Sequence, residues 1–267
     1  MRALTLHGDR DLRYEQVADP RLEAPEDVLV RVELCAVCGS DLHPSLGREA
    51  GYDAGTVPGH EFVGEVIEAG KAVEHLRPGT RVYSPFTTSC GRCRFCRLGL
   101  TSRCERGELF GWRQRGRGLH GGQAELVRVP LSDTTLLAIP DGIDDIEALL
   151  LGDVLSTGYY CAEQSGLQPG DSVAVVGCGP VGLMAIVGAR ELGVEEPVAL
   201  DPVPDRRRHA QRLGARAESP ERAPELVDRT DGGFDVVLEA VGSQESTRLA
   251  FDLLRPGGTL SSVGVHT

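Results

Sequence analysis

Ser172-Val-Ala-Val-Val-Gly-Cys-Gly-Pro-Val-Gly182 joins a valine-rich run to a G-x-G-x-x-G pattern. The run is short and apolar, as expected of a strand that is buried on both faces. Residues 181–192 then have the length and the apolar period of a helix. The stretch therefore predicts a strand, a tight turn and a helix in succession.

Strand and helix patterns continue to alternate from about residue 150 onward. This alternation is typical of a parallel sheet with helices on both faces. We therefore predict a doubly wound parallel sheet, with further strands at 198–200, 215–217, 234–238 and 258–264 and further helices at 205–213 and 243–254.

The N-terminal part of the chain has a different pattern. Its apolar runs at 27–33, 62–67 and 124–129 are short, rich in valine, and separated by Gly and Pro. We predict an irregular, mostly antiparallel β domain over residues 1–150, followed by the α/β domain over residues 151–267.

Composition limits the classes of function. The 267 residues carry a formal net charge of −12, which argues against nucleic acid or an anionic membrane as a partner. No apolar run reaches membrane-spanning length, and the N-terminus lacks signal-peptide features. We expect a cytoplasmic protein that acts on a small molecule. Arginines between residues 92 and 117 keep open a nucleic-acid-binding, zinc-ribbon-like module as a distant alternative.

Four of the eight cysteines form a C-x2-C-x2-C-x7-C run. Four thiolates in one loop can surround a tetrahedral zinc ion and leave no position open for a substrate, so we predict a structural zinc site. An iron–sulfur cluster, which also takes four cysteine ligands, is the weaker alternative. The predicted ligands are Cys90, Cys93, Cys96 and Cys104.

A second metal site is suggested by Cys38 and His60, which lie 22 residues apart. A catalytic zinc needs three protein ligands and an open position, and Asp153 is the candidate third ligand. On local context alone, His60 is equally well a core histidine and Asp153 a helix cap. Cys35 is expected to be a small buried hydrophobic residue.

The glycine pattern lies between a strand and a helix, which is the context in which it binds a dinucleotide. Gly177, Gly179 and Gly182 permit the tight turn, the approach of a pyrophosphate, and close packing of the helix. Asp201 follows 19 residues after Gly182, where a carboxylate accepts hydrogen bonds from ribose hydroxyls and repels a 2′-phosphate. This favours NAD over NADP, although the nearby Arg206 could serve a 2′-phosphate.

Together these motifs resemble the zinc-dependent medium-chain alcohol dehydrogenase family. The likeness rests on Cys38 to His43, Gly59-His60-Glu61, the four-cysteine loop, Asp153 to Gly158, and Gly177 to Gly182 with Asp201. They span nearly the whole chain in the family's order. The resemblance implies a GroES-like catalytic domain, a Rossmann domain, two zinc ions per chain, and NAD.

The resemblance also implies a role for individual residues. Cys38, His60 and Asp153 would hold the catalytic zinc, with Glu61 behind it as a further acid and Asp41 orienting His60. Ser40 and His43 would be the two ends of a proton relay, and Phe86 would line the substrate pocket. The implied cofactor-binding residues are Thr157, Gly177, Gly179, Pro180, Val181, Gly182, Asp201 and Arg206.

The implied reaction transfers hydride between a small alcohol or aldehyde hydrate and NAD. In having Asp at position 153, the sequence resembles the glutathione-independent formaldehyde dehydrogenase branch of the family. Related sequences continue beyond a fifth strand, so we expect the chain to be truncated at its C-terminus, with a homodimer or homotetramer formed at full length. The alternative is an inactive fragment that keeps the structural zinc and partial nucleotide binding.

Overall fold

The computed structural model describes residues 1–230 and 232–266. The chain divides into two compact units, the first being Met1–Asp153 and the second beginning at Val154. The first unit contains the strands β1 (Arg2–Gly8), β2 (Asp11–Gln16), β3 (Val28–Cys35), β4 (Phe62–Ala69), β5 (Arg81–Tyr83), β6 (Trp112–Gln114), β7 (Arg117–Leu119), β8 (Leu126–Val129) and β9 (Leu137–Ala138) and the short helices α1 (Leu42–Ser45), α2 (Arg94–Arg97), α3 (Ser132–Thr135) and α4 (Asp145–Gly152).

An antiparallel sheet in the order β8-β3-β4-β5-β9 forms the body of the first unit. Val28 and Val30 alternate toward a buried cluster that also includes Phe62 and Phe110, whose rings meet edge to face at 5.2 Å. The first unit also contains two-stranded sheets, β1-β2 and β6-β7. The predicted irregular antiparallel domain is therefore confirmed.

Helix α4 brings the end of the first unit to the β-sheet. It begins with a capping box, in which Asp144 accepts a hydrogen bond from the Glu147 amide and Glu147 reaches back to the Asp144 amide. Near its end, a Cβ atom added to Gly152 would lie 2.4 Å from the carbonyl oxygen of Ser84. Only glycine permits this approach, which delivers the next residue, Asp153, beside strand β5.

The second unit alternates helices and strands. It contains α5 (Val154–Gln164), β10 (Val173–Val176), α6 (Pro180–Glu191), β11 (Val198–Leu200), α7 (Pro204–Arg212), β12 (Arg216–Glu218), α8 (Ala223–Arg229), β13 (Phe234–Glu239), α9 (Gln244–Leu253) and β14 (Leu254–Ser262). Among the described residues of this unit, the five strands are parallel, in the order β12-β11-β10-β13-β14. The predicted doubly wound sheet is confirmed.

Both faces of this parallel sheet are covered. Val173 and Val175 of β10 point into a core with Ile186 of α6, whereas Ala174 and Val176 point into a second core with Leu253 of α9. Because strand side chains alternate between faces, a strand with helices on both sides must be apolar throughout. This is the physical reason for the uninterrupted valine-rich run. Burying each such side chain contributes roughly 1.5–3 kcal/mol.

Candidate metal centres and nucleotide site

The four-cysteine lobe is built around helix α2. Cys93 lies at the position before the helix and Cys96 within it, so both sulfurs face the same point. Cys93 Sγ is 3.5 Å from Cys96 Sγ and 4.0 Å from Cys104 Sγ. A tetrahedral zinc with bonds of about 2.3 Å sets its sulfurs about 3.8 Å apart. The observed separations fit that polyhedron, and all four donor sulfurs lie within 4.8 Å of one another.

Backbone amides stabilise the thiolate form of this lobe. The amide of Cys90 lies 3.2 Å from Cys104 Sγ, and that of Arg106 lies 3.4 Å from the same sulfur. Hydrogen bonds from the amides of Cys96 and Glu105 lower the pKa of Cys93 to about 6. The thiolate is the metal ligand, so the amides around Cys93 favour a cation, whereas burial and the neighbouring thiols raise the pKa of Cys96 to about 11.

A second set of donors lies at the edge of the antiparallel sheet. Cys38 precedes the 3₁₀ helix Gly39–Asp41, His60 and Glu61 lead into β4, and Asp153 follows α4. Their donor atoms all lie within 4.8 Å of one another. Folding thus brings together four residues from three separated parts of the sequence.

His60 is held in one orientation by two carboxylates. Its Nδ1 lies 3.2 Å from Asp41 Oδ1, and its Nε2 lies 3.2 Å from Asp153 Oδ2. Asp41 is itself fixed, because its Oδ2 accepts hydrogen bonds from the Cys38 amide at 2.9 Å and from Gln123 Nε2 at 3.1 Å. Nδ1 is thereby engaged with a carboxylate, and Nε2 faces the donor cluster.

Gln123 is a residue that the sequence analysis missed. Nothing in its local sequence marks it, since it lies 82 positions from its partner Asp41. A Cβ atom added to Gly59 would lie 2.6 Å from Gln123 Cγ, which explains why glycine precedes His60.

The charge of the cluster fits a cation. Burial alone would lower the pKa of His60, but its hydrogen bonds with Asp153 and Asp41 outweigh burial and raise the pKa to about 12. Burial and the charge of Asp153 raise the pKa of Glu61. Glu61 Oε1 is buried and has no hydrogen-bond partner within the described residues. His60 Nε2 lies 3.8 Å from this oxygen, and three carboxylates around one imidazole leave an excess of negative charge that a dication would neutralise.

The residues of the implied proton relay lie beside Cys38. Ser40 is in the 3₁₀ helix Gly39–Asp41, and His43 is in α1, which follows directly. His43 Nδ1 is buried and has no hydrogen-bond partner in the described parts of the chain. Phe86 is half-buried, in the loop after β5.

The position of Cys35 differs from the prediction that it is buried. It is exposed at the end of β3, not buried, and it lies outside both donor sets. The expectation was wrong because strand residues alternate between faces, and Cys35 falls on the outward one.

The glycine loop has a backbone conformation and a close packing that depend on its glycines. Gly179 caps α6 with extended backbone, and Pro180 occupies the first helical position, where its missing N–H is not needed. Gly177 has a φ of +95°, a conformation that favours glycine. A Cβ atom added to Gly182 would lie only 1.9 Å from the Gly177 carbonyl oxygen, so the helix packs directly on the loop.

Asp201 follows β11 and is only 2% exposed. Its Oδ2 accepts a hydrogen bond from the Cys178 amide at 2.9 Å, and its Oδ1 accepts one from the Val203 amide at 2.8 Å. The carboxylate therefore ties the glycine loop to the turn after β11. The exposed Arg206 guanidinium lies 3.8 Å from Oδ2. Asp201 thus has a structural function besides the ribose contact that the sequence suggested.

Thr157 and Val181, which the resemblance places near the nicotinamide, are both half-buried and lie in α5 and α6. These helices pack closely on each other: a Cβ atom added to Gly158 would lie only 2.5 Å from the Ala185 amide nitrogen.

In the described parts of the chain, no helix has both the length and the apolar character needed to cross a membrane.

Comparison with known proteins places the chain among zinc-binding dehydrogenases. A family profile described as "Alcohol dehydrogenase GroES-like domain" matches residues 24–141, and one described as "Zinc-binding dehydrogenase" matches residues 180–267. Medium chain reductase/dehydrogenase ucsI of an Acremonium species is 42% identical over all of this chain and 94% of its own length. Zinc-type alcohol dehydrogenase B of Aspergillus flavus is 40% identical, over all of this chain and 64% of its own length.

A glutathione-independent formaldehyde dehydrogenase of Pseudomonas aeruginosa is 38% identical over 77% of this chain and 54% of its own length. Among solved structures, alcohol dehydrogenase TADH from Thermus sp. ATN1 superposes with a TM-score of 0.92 at 42% identity, over all of this chain and 78% of its own. A zinc-binding dehydrogenase from Sinorhizobium meliloti, solved with NADP, gives a TM-score of 0.85 at 30% identity, over 99% of this chain and 77% of its own.

The fold, the two donor sets and these likenesses define a zinc-type oxidoreductase. The chain belongs to the zinc-dependent alcohol dehydrogenase family of medium-chain dehydrogenases/reductases.

Proposed function

We propose that this protein transfers hydride between a small alcohol or aldehyde hydrate and NAD, with one zinc ion at the catalytic cluster and a second in the four-cysteine lobe. The observation that carries the proposal is the gathering of Cys38, His60, Glu61 and Asp153 donor atoms within 4.8 Å, in a chain that also carries a glycine loop at the start of a helix. Neither feature alone specifies a dehydrogenase.

Cys38, His60 and Asp153 would hold the catalytic zinc, and the buried oxygen of Glu61 would stand behind it as a further donor. When bound, the zinc supplies a Lewis acid that polarises the substrate oxygen and fixes its position. Asp41 keeps His60 Nε2 directed at the cluster through the contact with Nδ1. Ser40 would accept the substrate hydroxyl proton and His43 would take it onward, since its buried Nδ1 has no hydrogen-bond partner among the described residues and can hold a proton.

The dinucleotide would lie at the carboxyl ends of the parallel strands, where the order of connections reverses between β10 and β13. Gly177, Gly179 and Gly182 leave room for the pyrophosphate at the N-terminus of α6. Asp201 at the end of β11 places a negative charge where a 2′-phosphate would lie, which supports NAD. Thr157, Pro180 and Val181 would pack against the bound cofactor, and Arg206 would border its adenosine side.

NADP is the second candidate cofactor. Arg206 lies 3.8 Å from Asp201 and partly offsets its charge, and a 30% identical neighbour was solved with NADP. Comparison of kcat/KM with the two cofactors, in the native protein and in Arg206→Ala, decides between them. NAD is supported if it is preferred in both proteins, and NADP if the native protein prefers it and the variant loses that preference.

The proposed substrate class rests on the third donor and on the relatives. Asp153 is a carboxylate, and a glutathione-independent formaldehyde dehydrogenase is among the relatives at 38% identity. We therefore propose formaldehyde hydrate and short primary alcohols as the first substrates to assay. An inactive fragment is less well supported, since the chain retains both donor sets and the glycine loop.

The deciding experiment combines elemental analysis with the absorbance of reduced nicotinamide. The native protein, Asp153→Asn and Asp145→Asn are compared, since Asp145 begins α4, the helix that Asp153 follows, but pairs with Arg81 outside the cluster. We expect about two zinc ions per chain in the native protein and in Asp145→Asn, about one in Asp153→Asn, and loss of activity only in the last. Two zinc ions in every protein, or no activity in a native protein holding two, would contradict the proposal.

A further inference from the structure

Glu239 is a buried acid that the proposed chemistry does not use. It is the last residue of β13 and is 0% exposed. It therefore lies at the carboxyl edge of the parallel sheet, the edge at which the glycine loop follows β10. The two strands are paired in register, with Val176 opposite Glu239. A fully buried carboxylate is costly unless its oxygens are hydrogen-bonded.

The carboxylate is fully engaged by two loops. Its Oε1 accepts hydrogen bonds from the amides of Val241 at 2.9 Å and Gly242 at 2.8 Å. Its Oε2 accepts one from the Ser262 hydroxyl, at the end of the neighbouring strand β14, at 2.7 Å. Glu239 thus fixes the turn that follows its own strand and ties it to the end of the next strand.

The turn formed by residues 240–242 also packs closely against the glycine loop. A Cβ atom added to Gly177 would lie 2.4 Å from Val241 Cγ2, so Val241 occupies the space beside the first glycine. On its other side, a Cβ atom added to Gly242 would lie 2.4 Å from the Val265 carbonyl oxygen. Residues 240–242 are therefore wedged between the glycine loop and the segment after β14, with Glu239 beneath them.

The ionised form of Glu239 suits this position. Burial raises its pKa, but hydrogen bonds from Gly242, Ser262, Ser246 and Val241 outweigh burial and leave the pKa below its ordinary value. Ser243 caps α9 directly after the turn, so the positive end of that helix dipole also favours the anion.

We propose that Glu239 is a positioning residue for the dinucleotide site: it fixes residues 240–242, and Val241 then holds the glycine loop in the conformation that receives the pyrophosphate. In this proposal Glu239 acts through the turn and not by contact with cofactor or substrate. The inference rests on the proposed dinucleotide function. Its physical basis is preorganisation, because a loop already held in its bound conformation loses less entropy on binding.

The test compares Glu239→Ala, Glu239→Gln and a matched control, Asp235→Ala. Asp235 lies at the opposite end of β13 and also accepts three hydrogen bonds, two from Ser172 and one from Arg255 at 2.7 Å. The readouts are the Kd for NAD by calorimetry, the thermal midpoint, and zinc per chain. We expect Glu239→Ala to raise the Kd about tenfold. Asp235→Ala should lower the midpoint and leave the Kd unchanged.

Glu239→Gln should recover most of the affinity. Its carbonyl oxygen can still accept both amides, and its NH2 group can donate to Ser262 Oγ. Equal Kd values in the native protein, Glu239→Ala and Asp235→Ala would overturn the inference, because a purely structural role moves stability alone. If the native protein binds neither NAD nor NADP, the proposed function itself fails.

Ser262→Ala covers the case in which Glu239→Ala does not fold. Ser262 is exposed, and Ser262→Ala removes the hydrogen bond from the end of β14 to Glu239 while both turn amides remain. A Kd increase of about threefold with an unchanged midpoint supports the inference. An unchanged Kd overturns it.

Discussion

Gly182→Ala tests the packing of helix α6 on the glycine loop. The added Cβ would lie 1.9 Å from the Gly177 carbonyl oxygen, about 1.5 Å closer than ordinary contact at 3.4 Å. The obstacle is backbone and belongs to a residue held at φ +95°, so it cannot turn aside as a flexible side chain would. Either the helix moves away from β10 or the loop changes conformation.

The cost can be estimated from two opposing effects. Overpacking of this kind costs about 3 kcal/mol at the upper end of its usual range. Replacing glycine by alanine inside a helix stabilises the folded state by about 1 kcal/mol. The net loss is about 2 kcal/mol, which corresponds to a fall in the thermal midpoint of about 4–8 °C.

Gly179→Ala is the matched control. It changes the same residue type in the same loop, but a Cβ atom there has no neighbour within 4 Å and the backbone φ is −72°. We expect its stability loss to stay below about 1 kcal/mol, from the weaker N-cap alone. Its affinity for NAD should nevertheless fall, because the second glycine is where the pyrophosphate approaches the backbone.

The assays are thermal unfolding by circular dichroism and NAD binding by calorimetry. The expected outcome separates the two glycines: Gly182→Ala loses stability and affinity together, whereas Gly179→Ala loses chiefly affinity. If Gly182→Ala unfolds at the native temperature, the close approach of α6 to the loop is wrong. If both variants bind NAD as tightly as the native protein, the pyrophosphate does not lie at this loop.

Two further predictions concern the first unit. Cys104→Ser should release one zinc ion per chain and lower the unfolding free energy by several kcal/mol, because metal binding to such a lobe is coupled to folding. Cys35→Ser changes an exposed thiol outside both donor sets and should leave the zinc content unchanged. An equal loss of zinc in both variants would argue against a zinc site in the four-cysteine lobe. Burial and the nearby Arg113 and Arg128 lower the pKa of His120 to about 4 from an ordinary value of 6.5. The unfolded chain therefore binds the extra proton first, and stability should fall as pH drops from 6.5 toward 4. Urea unfolding at several pH values should show that the unfolding free energy of His120→Gln falls less steeply with decreasing pH than that of the native protein. Parallel curves for the two proteins would exclude His120 as a cause of the pH dependence.

Local sequence patterns by themselves determine much of this protein. The valine-rich run before Gly177 predicted a strand buried on both faces, because a strand between two helical layers has no polar side. The spacing of the four cysteines predicted one closed site, because its ligands come from a single loop. Both signals are contained within a few residues of sequence, so no long-range contact was needed to read them.

The tertiary structure decided what depends on distant residues. On local context alone His60 was equally well a core histidine and Asp153 a cap, and only the fold shows that their side chains lie 3.2 Å apart. Gln123 and Glu239 carry no local signature, since their functions lie in hydrogen bonds to other loops. Cys35 was misassigned because the outward face of a strand is fixed by sheet register. Motifs confined to one segment are determined by sequence, whereas contacts between segments arise only when the chain has folded.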